Sequence, residues 1–289
     1  MREFRPRGAA SAGVLVGAVA VLAAANVLNN RVAPRLAPLT SVAATGALLA
    51  LARGSGLSWS DLGFHRRARG LRIGGVLASA VAVVYGAGIA VPATRGFFRD
   101  ERALSLSRAR ALEEALLQVP FGTVLLEEVG FRGVLHGLLT RSHGAGTATA
   151  VSSALFGLWH VLPAIDMMAA NPALSRLAAG EAPAGETSRV VIGSVVATGF
   201  AGVFFCELRR RGGLAAPSLF HLATNSLGYL FARLVPPESG SESGSEDALG
   251  DGREPGHRAG LGLDQGDGRD LGYGSDRGPD RGDGRLTAS

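Results

Sequence analysis

The stretch Leu125-Leu126-Glu127-Glu128-Val129-Gly130-Phe131-Arg132-Gly133-Val134-Leu135 sets two carboxylates and a guanidinium inside an apolar run long enough to cross a bilayer. Ionisable groups at that depth are costly, so they face a bundle interior and mark function. Glu128 and Arg132 are four apart, on one helix face and within ion-pairing reach. Glu127 lies about 100° round the helix from Glu128, so one guanidinium cannot serve both acids equally. One acid reads as structurally paired and the other as free to work.

Similar apolar runs recur on both sides of this stretch. They predict helices near 12–29, 36–52, 71–92, 118–140, 146–165, 189–208 and 214–235, each close to the roughly 17–25 residues that a span requires. The expected fold class is therefore all-α, a polytopic transmembrane helix bundle of about seven spans. Three segments are expected: N-terminal transmembrane helices over 1–102, a core over 103–235, and a tail over 236–289. The tail is rich in Gly, Asp, Ser and Arg and nearly free of aromatics. It cannot bury enough apolar surface to order itself, so it is expected to be disordered.

Composition supports a membrane protein over a nucleic-acid binder. The chain is 47% hydrophobic and 18% charged, and every basic residue is Arg. Residues 1–235 carry 23 Arg against 12 acids, and the tail carries 6 against 12. The Arg residues cluster at 2–7, 53–72, 141 and 209–211, in alternate connections between the apolar runs. That is the pattern of topology-setting charge, with a cytoplasmic N-terminus and a multi-pass protein of the cell membrane. One segment dissents, with Arg95, Arg99, Arg102, Arg108 and Arg110 on the other side among Asp100, Glu101, Glu113 and Glu114. No nucleic-acid partner is expected. The first apolar run follows Arg2, Arg5 and Arg7 but ends in Asn26-Val27-Leu28-Asn29-Asn30, without a small-residue cleavage pattern, so it reads as a retained helix. Residues 103–118 alternate charge and apolar character as an interfacial amphipathic helix does, and Pro120 then allows a bend before the chain enters the membrane. The single cysteine, Cys206, excludes an intrachain disulfide and a Cys-based zinc site.

Two later sites also put polar groups into apolar helices: Phe156-Gly157-Leu158-Trp159-His160, and His221-Leu222-Ala223-Thr224-Asn225. At 1.5 Å per residue from the inner helix ends, Glu127, His160, His221 and Asn225 lie at about 20, 21, 10 and 16 Å, so they can converge. A carboxylate beside an imidazole can hold a water and take its proton. His and Asn donors can stabilise an oxyanion in a dry site. Imidazoles and a carboxylate could equally ligate zinc, which would activate the water itself. Trp159 suits either a pocket wall or an interfacial anchor.

Glu127-Glu128-x-x-x-Arg132, Phe156-x-x-x-His160 and His221-x-x-x-Asn225, in that order on separate helices, resemble the three-motif signature of the CAAX protease and bacteriocin-processing (Abi) family. These are polytopic intramembrane endopeptidases, described both as metalloproteases and as metal-free glutamate proteases. The resemblance covers roughly residues 103–235. It implies that Glu127 is the general base, helped by His160, while His221 and Asn225 polarise the substrate carbonyl and Glu128 and Arg132 support the first motif. The cofactor is none or one zinc, and Glu127, His160 and His221 would be its ligands. The implied substrate is a membrane-embedded or lipid-anchored peptide or protein, in contact with membrane lipids. The alternative is a non-catalytic membrane protein of the same fold, acting in bacteriocin self-immunity or as a scaffold. A proton-carrying transporter would show internal repeats, which the two halves lack.

Overall fold

The computed structural model describes residues 12–170 and 186–235, and the expected disorder of the tail falls outside them. The described residues form helices and no strand. Helix α1 spans Ala12–Val27 and runs on through a wider turn at Leu28–Val32. Helix α2 spans Ala37–Gly54 and α3 spans Arg67–Ala90. A long helix, α4, covers 108–143, and α5 covers 145–159. Then come α6 (Val161–Ala170), α7 (Glu186–Gly212) and α8 (Ala215–Ala232).

Among the described residues, five stretches are long and apolar enough to cross a membrane: Ala12–Val32, Pro34–Gly54, Arg67–Ala90, Arg108–Asp166 and Ser188–Gly212. The fourth is 59 residues long and contains two of the expected spans. It folds back at Gly144, whose φ of 83° only glycine adopts without strain. Phe131 against Phe156 and His136 against Thr149 show the two arms to be antiparallel. The last expected span, α8, is a full helix but is not among the five, because Pro217, His221, Asn225 and Ser226 dilute its apolar character. Val76, Val83 and Phe200 are 70%, 71% and 73% exposed. Side chains of that kind belong against lipid tails rather than water.

The amphipathic segment differs from expectation. Glu101–Ser105 is a short separate turn, and Ser107 caps a new helix by accepting from the Arg110 amide at 3.3 Å. That helix is α4 itself, so most of the expected interfacial helix forms its first turns. Pro120 lies inside this helix, which runs on past it. A π-helical register over Glu114–Val124 takes up the missing amide and the bulk of the ring.

Close packing needs small residues where helices cross in a membrane, since lipid supplies no hydrophobic drive for them to associate. A Cβ at Gly157 would lie 2.5 Å from the Val195 carbonyl oxygen, so α5 and α7 can approach only with glycine there. The Arg-bearing connections meet at one end of the bundle. Arg141 donates to the Ser55 carbonyl at 2.7 Å, Arg209 to that of Asp61 at 2.6 Å, and Arg66 to that of Arg210 at 3.2 Å. Around the middle of α4, Leu22, Leu48, Leu126, Leu135, Leu138 and Phe156 form a buried core.

Candidate active site

The first motif lies at the most deeply buried part of α4. A second π-helical stretch, Glu128–Leu135, begins there, and all eight of its residues are buried. Such registers recur at functional sites because the widened turn re-aims side chains that an α-helix would align. Glu127, Glu128 and Arg132 are 3%, 1% and 1% exposed. The expected Glu128–Arg132 pair exists, with Arg132 Nη1 3.5 Å from Glu128 Oε1. This is an ion pair and not a hydrogen bond, and neither Arg132 Nη has a hydrogen-bond partner among the described residues. The guanidinium is held instead between two aromatic faces. Its central carbon lies 3.7 Å from the Phe156 ring centroid and 4.6 Å from that of Phe205. Cation–π attraction of this kind strengthens where water is absent.

Helix α8 brings the third motif to these acids. It is pinned to α4 where Ser226 Oγ donates to the Ala115 carbonyl (2.7 Å), and to α3 where the Tyr85 hydroxyl donates to the Thr224 carbonyl (3.0 Å). His221 is buried, with Nδ1 2.8 Å from Glu128 Oε1 and Nε2 3.7 Å from Glu127 Oε2. It stands between the two carboxylates. The first contact is a hydrogen bond in which the imidazole donates, and the second is an approach without one. Asn225, one turn on, is half-buried and its amide bonds to no described residue.

The second motif ends α5. His160 is half-buried and sits edge-on to Phe156, with ring centroids 4.5 Å apart. Its Nδ1 is 2.8 Å from the Phe156 carbonyl. A carbonyl can only accept, so Nδ1 carries the proton and Nε2 is left as an acceptor. Residue 160 is also where α5 stops, and not a point within a longer helix as its sequence suggests. Its backbone leaves the helical region (φ −84°, ψ 4°), and Pro163 follows in α6.

Trp159 lines a pocket with Asn26, Phe131 and Leu155, as a wall residue would, and is not an interfacial anchor. It is 8% exposed, packs edge-on against Phe131, and its indole N–H donates to Glu127 Oε1 at 2.8 Å. The other oxygen, Glu127 Oε2, is buried and has no hydrogen-bond partner among the described residues.

Residues 114–227 match the Rce1-like family of type II CAAX prenyl endopeptidases. This is the family that the three motifs resemble. The Rce1-like segment holds all seven motif residues, together with Trp159, and leaves α1 to α3 outside. No curated protein and no solved structure matches the chain.

The ligand set implied for zinc is only partly gathered in this arrangement. Among the described residues no three His, Cys, Asp or Glu side chains group so as to hold a metal. His160 Nδ1 is held by the Phe156 carbonyl and His221 Nδ1 by Glu128, which leaves Nε2 of each as the atom that would face a metal. Only Glu127 and His221 approach one another.

Two contacts to this site were not read from the sequence. One is the Trp159–Glu127 hydrogen bond. The other is Asn26 of α1, whose Nδ2 donates to the Trp159 carbonyl at 2.9 Å. Their signals were a polar group ending an apolar run and a proline four residues after Trp159.

Proposed function

We propose that this protein is an intramembrane endopeptidase that hydrolyses peptide bonds of membrane-associated substrates by means of a water activated at Glu127. The observation that carries the reading is the unequal pair of oxygens on that carboxylate. Oε1 is held by Trp159, while Oε2 is buried and without a partner. A carboxylate held in this way is oriented to bind one further donor, and a water is the donor that hydrolysis needs.

In the proposed reaction Glu127 Oε2 takes a proton from the water as its oxygen attacks the substrate carbonyl carbon. His160 Nε2, an acceptor in this arrangement, assists. The tetrahedral oxyanion receives hydrogen bonds from the Asn225 amide and from His221 Nε2–H. The proton then passes to the departing amide nitrogen as the C–N bond breaks, giving a carboxylate and an amine. Because His221 Nδ1 is bonded to Glu128, donation from Nε2 requires the imidazolium form of His221, which together with Arg132 would balance two carboxylates. That condition makes Nε2 of His221 a donor at the moment it is needed, and low net charge favours burial.

The match to type II CAAX prenyl endopeptidases supports a prenylated protein as substrate, in the membrane that the five apolar stretches suit. The Arg-rich end of the bundle supports placing the N-terminus in the cytoplasm. The test maps new peptide N-termini in cells carrying the wild type or Glu127→Gln at equal protein level. Cleavages lost in the variant support proteolysis and name the substrates. Identical termini under several growth conditions would return the protein to the immunity or scaffold class.

A further inference from the structure

The chain after the second motif reads Trp159-His160-Val161-Leu162-Pro163. Were α5 to continue, the amide of residue 163 would donate to the Trp159 carbonyl, but proline has no N–H. That carbonyl is left without a local donor on a residue 8% exposed. A buried orphan acceptor is costly, so a partner from elsewhere is required.

Asn26 of α1 supplies it, with Nδ2 2.9 Å from the Trp159 oxygen and the residue 8% exposed. Asn30 Nδ2 in turn donates to the Asn26 carbonyl at 2.9 Å and to its Oδ1 at 3.0 Å, which turns the Asn26 amide nitrogen toward Trp159. Just beyond, Arg31 pairs with Asp166 at 2.9 Å and reaches the Leu162 carbonyl at 3.4 Å. The end of α1 therefore grips the chain on both sides of Pro163. On its other side Trp159 donates to Glu127 Oε1.

We propose that Asn26, on a helix outside the Rce1-like segment, is a positioning residue for Glu127 and acts through Trp159. As a statement about catalysis this rests on Glu127 being the base. The terminal torsion of a glutamate is broad and roughly two-fold, so a carboxylate without a fixed partner samples many orientations. A donor on Oε1 leaves Oε2 aimed in one direction. Asn26 keeps that donor in place where Pro163 would otherwise leave its backbone loose. Misplacing a reacting group by about 1 Å can cost about 100-fold in rate.

The test uses the full-length protein in detergent or nanodiscs. The chain has two tryptophans, so an indole ¹H–¹⁵N spectrum holds two cross-peaks, with that of Trp159 assigned by Trp159→Phe. Glu127→Gln is expected to move the Trp159 peak and leave that of Trp59 in place. Asn26→Leu is expected to move it too and to speed its solvent exchange. Pro163→Ala restores an amide four residues on, and in the Asn26→Leu background it is expected to return the peak toward its wild-type position. On a farnesylated CAAX peptide in proteoliposomes, Trp159→Phe and Asn26→Leu are each expected to lower kcat by about 10- to 100-fold with KM unchanged. The double variant is expected to be no worse than Trp159→Phe alone.

A Trp159 peak indifferent to both Glu127→Gln and Asn26→Leu overturns the proposal, and so do fully additive losses in kcat. Equal cleavage by the wild type and Glu127→Gln overturns Glu127 as the base, and no cleavage by the wild type overturns the peptidase reading; in either case the indole shifts still decide the coupling. If Asn26→Leu is not recovered as folded protein, Asn26→Ser, too short to reach Trp159, carries the same comparison.

Discussion

Two clusters of Glu and Arg in this chain show how little contact distance says about importance. At the end of α7, Glu207 accepts from Arg210 Nε at 2.6 Å and Arg211 Nε at 2.5 Å. At the centre of the bundle, Glu128 and Arg132 are 3.5 Å apart. The tight pairs have side chains 34% to 71% exposed, whereas both central side chains are 1% exposed. Exposed pairs exchange one solvation for another and contribute little. The buried pair has no water to fall back on, so losing either member leaves a charge uncompensated. The outer cluster lies at the Arg-rich end of the bundle. The inner one joins Glu128 to Arg132 and His221 where water is absent.

The largest expected effect separates chemistry from stability within the inner cluster. Glu127→Gln should lower peptidase activity by about 10²–10⁴-fold while leaving the protein as abundant and as heat-resistant as wild type. Activity retained in that variant would break the assignment of the base. Next comes Arg132→Met, which is expected to cost about 3–5 kcal/mol in a bicelle unfolding titration, because Glu128 and Glu127 are then buried without a counter-charge. The Glu128→Gln/Arg132→Met double variant should lose less than the sum of the two singles. Additive losses would show that the two residues act independently.

Glu207→Gln sharpens the contrast from the other side. No change in activity or unfolding midpoint is expected, and a loss comparable to that of Arg132→Met would collapse the distinction between the clusters. The smallest effect concerns the loop between α2 and α3. Asp61 accepts from the Ser58 amide at 2.8 Å and from its hydroxyl at 2.7 Å. These bonds, with Arg141 and Arg209 nearby, hold its carboxyl below the ordinary 3.8. A depressed carboxylate stabilises the fold above its unfolded value and loses that contribution as pH falls through the folded one. Asp61→Asn should therefore differ slightly from wild type at pH 6, and the difference should vanish well below pH 3.8. A difference that grows on acidification would reverse the sign.

Much of the bundle was legible because a bilayer imposes its thickness on sequence. Runs near 12–29, 36–52, 71–92 and 189–208 all fall within described helices, shifted by a few residues. The misreadings occur where local rules compete. Residues 103–118 are expected to lie apart from the next span, but the helix begun at Arg108 runs on through Pro120, which sits inside a π-helical stretch. The run expected over 146–165 stops at His160, because Pro163 removes the next amide and the chain starts again as α6. The pairing of Glu128 with Arg132 follows from four-residue spacing. The additional partner of Glu128, His221, is 93 residues away and has no local signature.

The sequence by itself determined that this is a helical membrane protein with acid, imidazole and amide groups on three separate helices. Period, length and the cost of burying charge are local properties, legible along one chain. Only the tertiary structure decided how the two neighbouring acids divide their partners. Glu127 receives Trp159, Glu128 receives His221, and Arg132 is held between Phe156 and Phe205. It also decided that α1, outside the Rce1-like segment, reaches the site through Asn26. Such contacts depend on crossing angles and helix registers, which small residues such as Gly157 permit but do not choose.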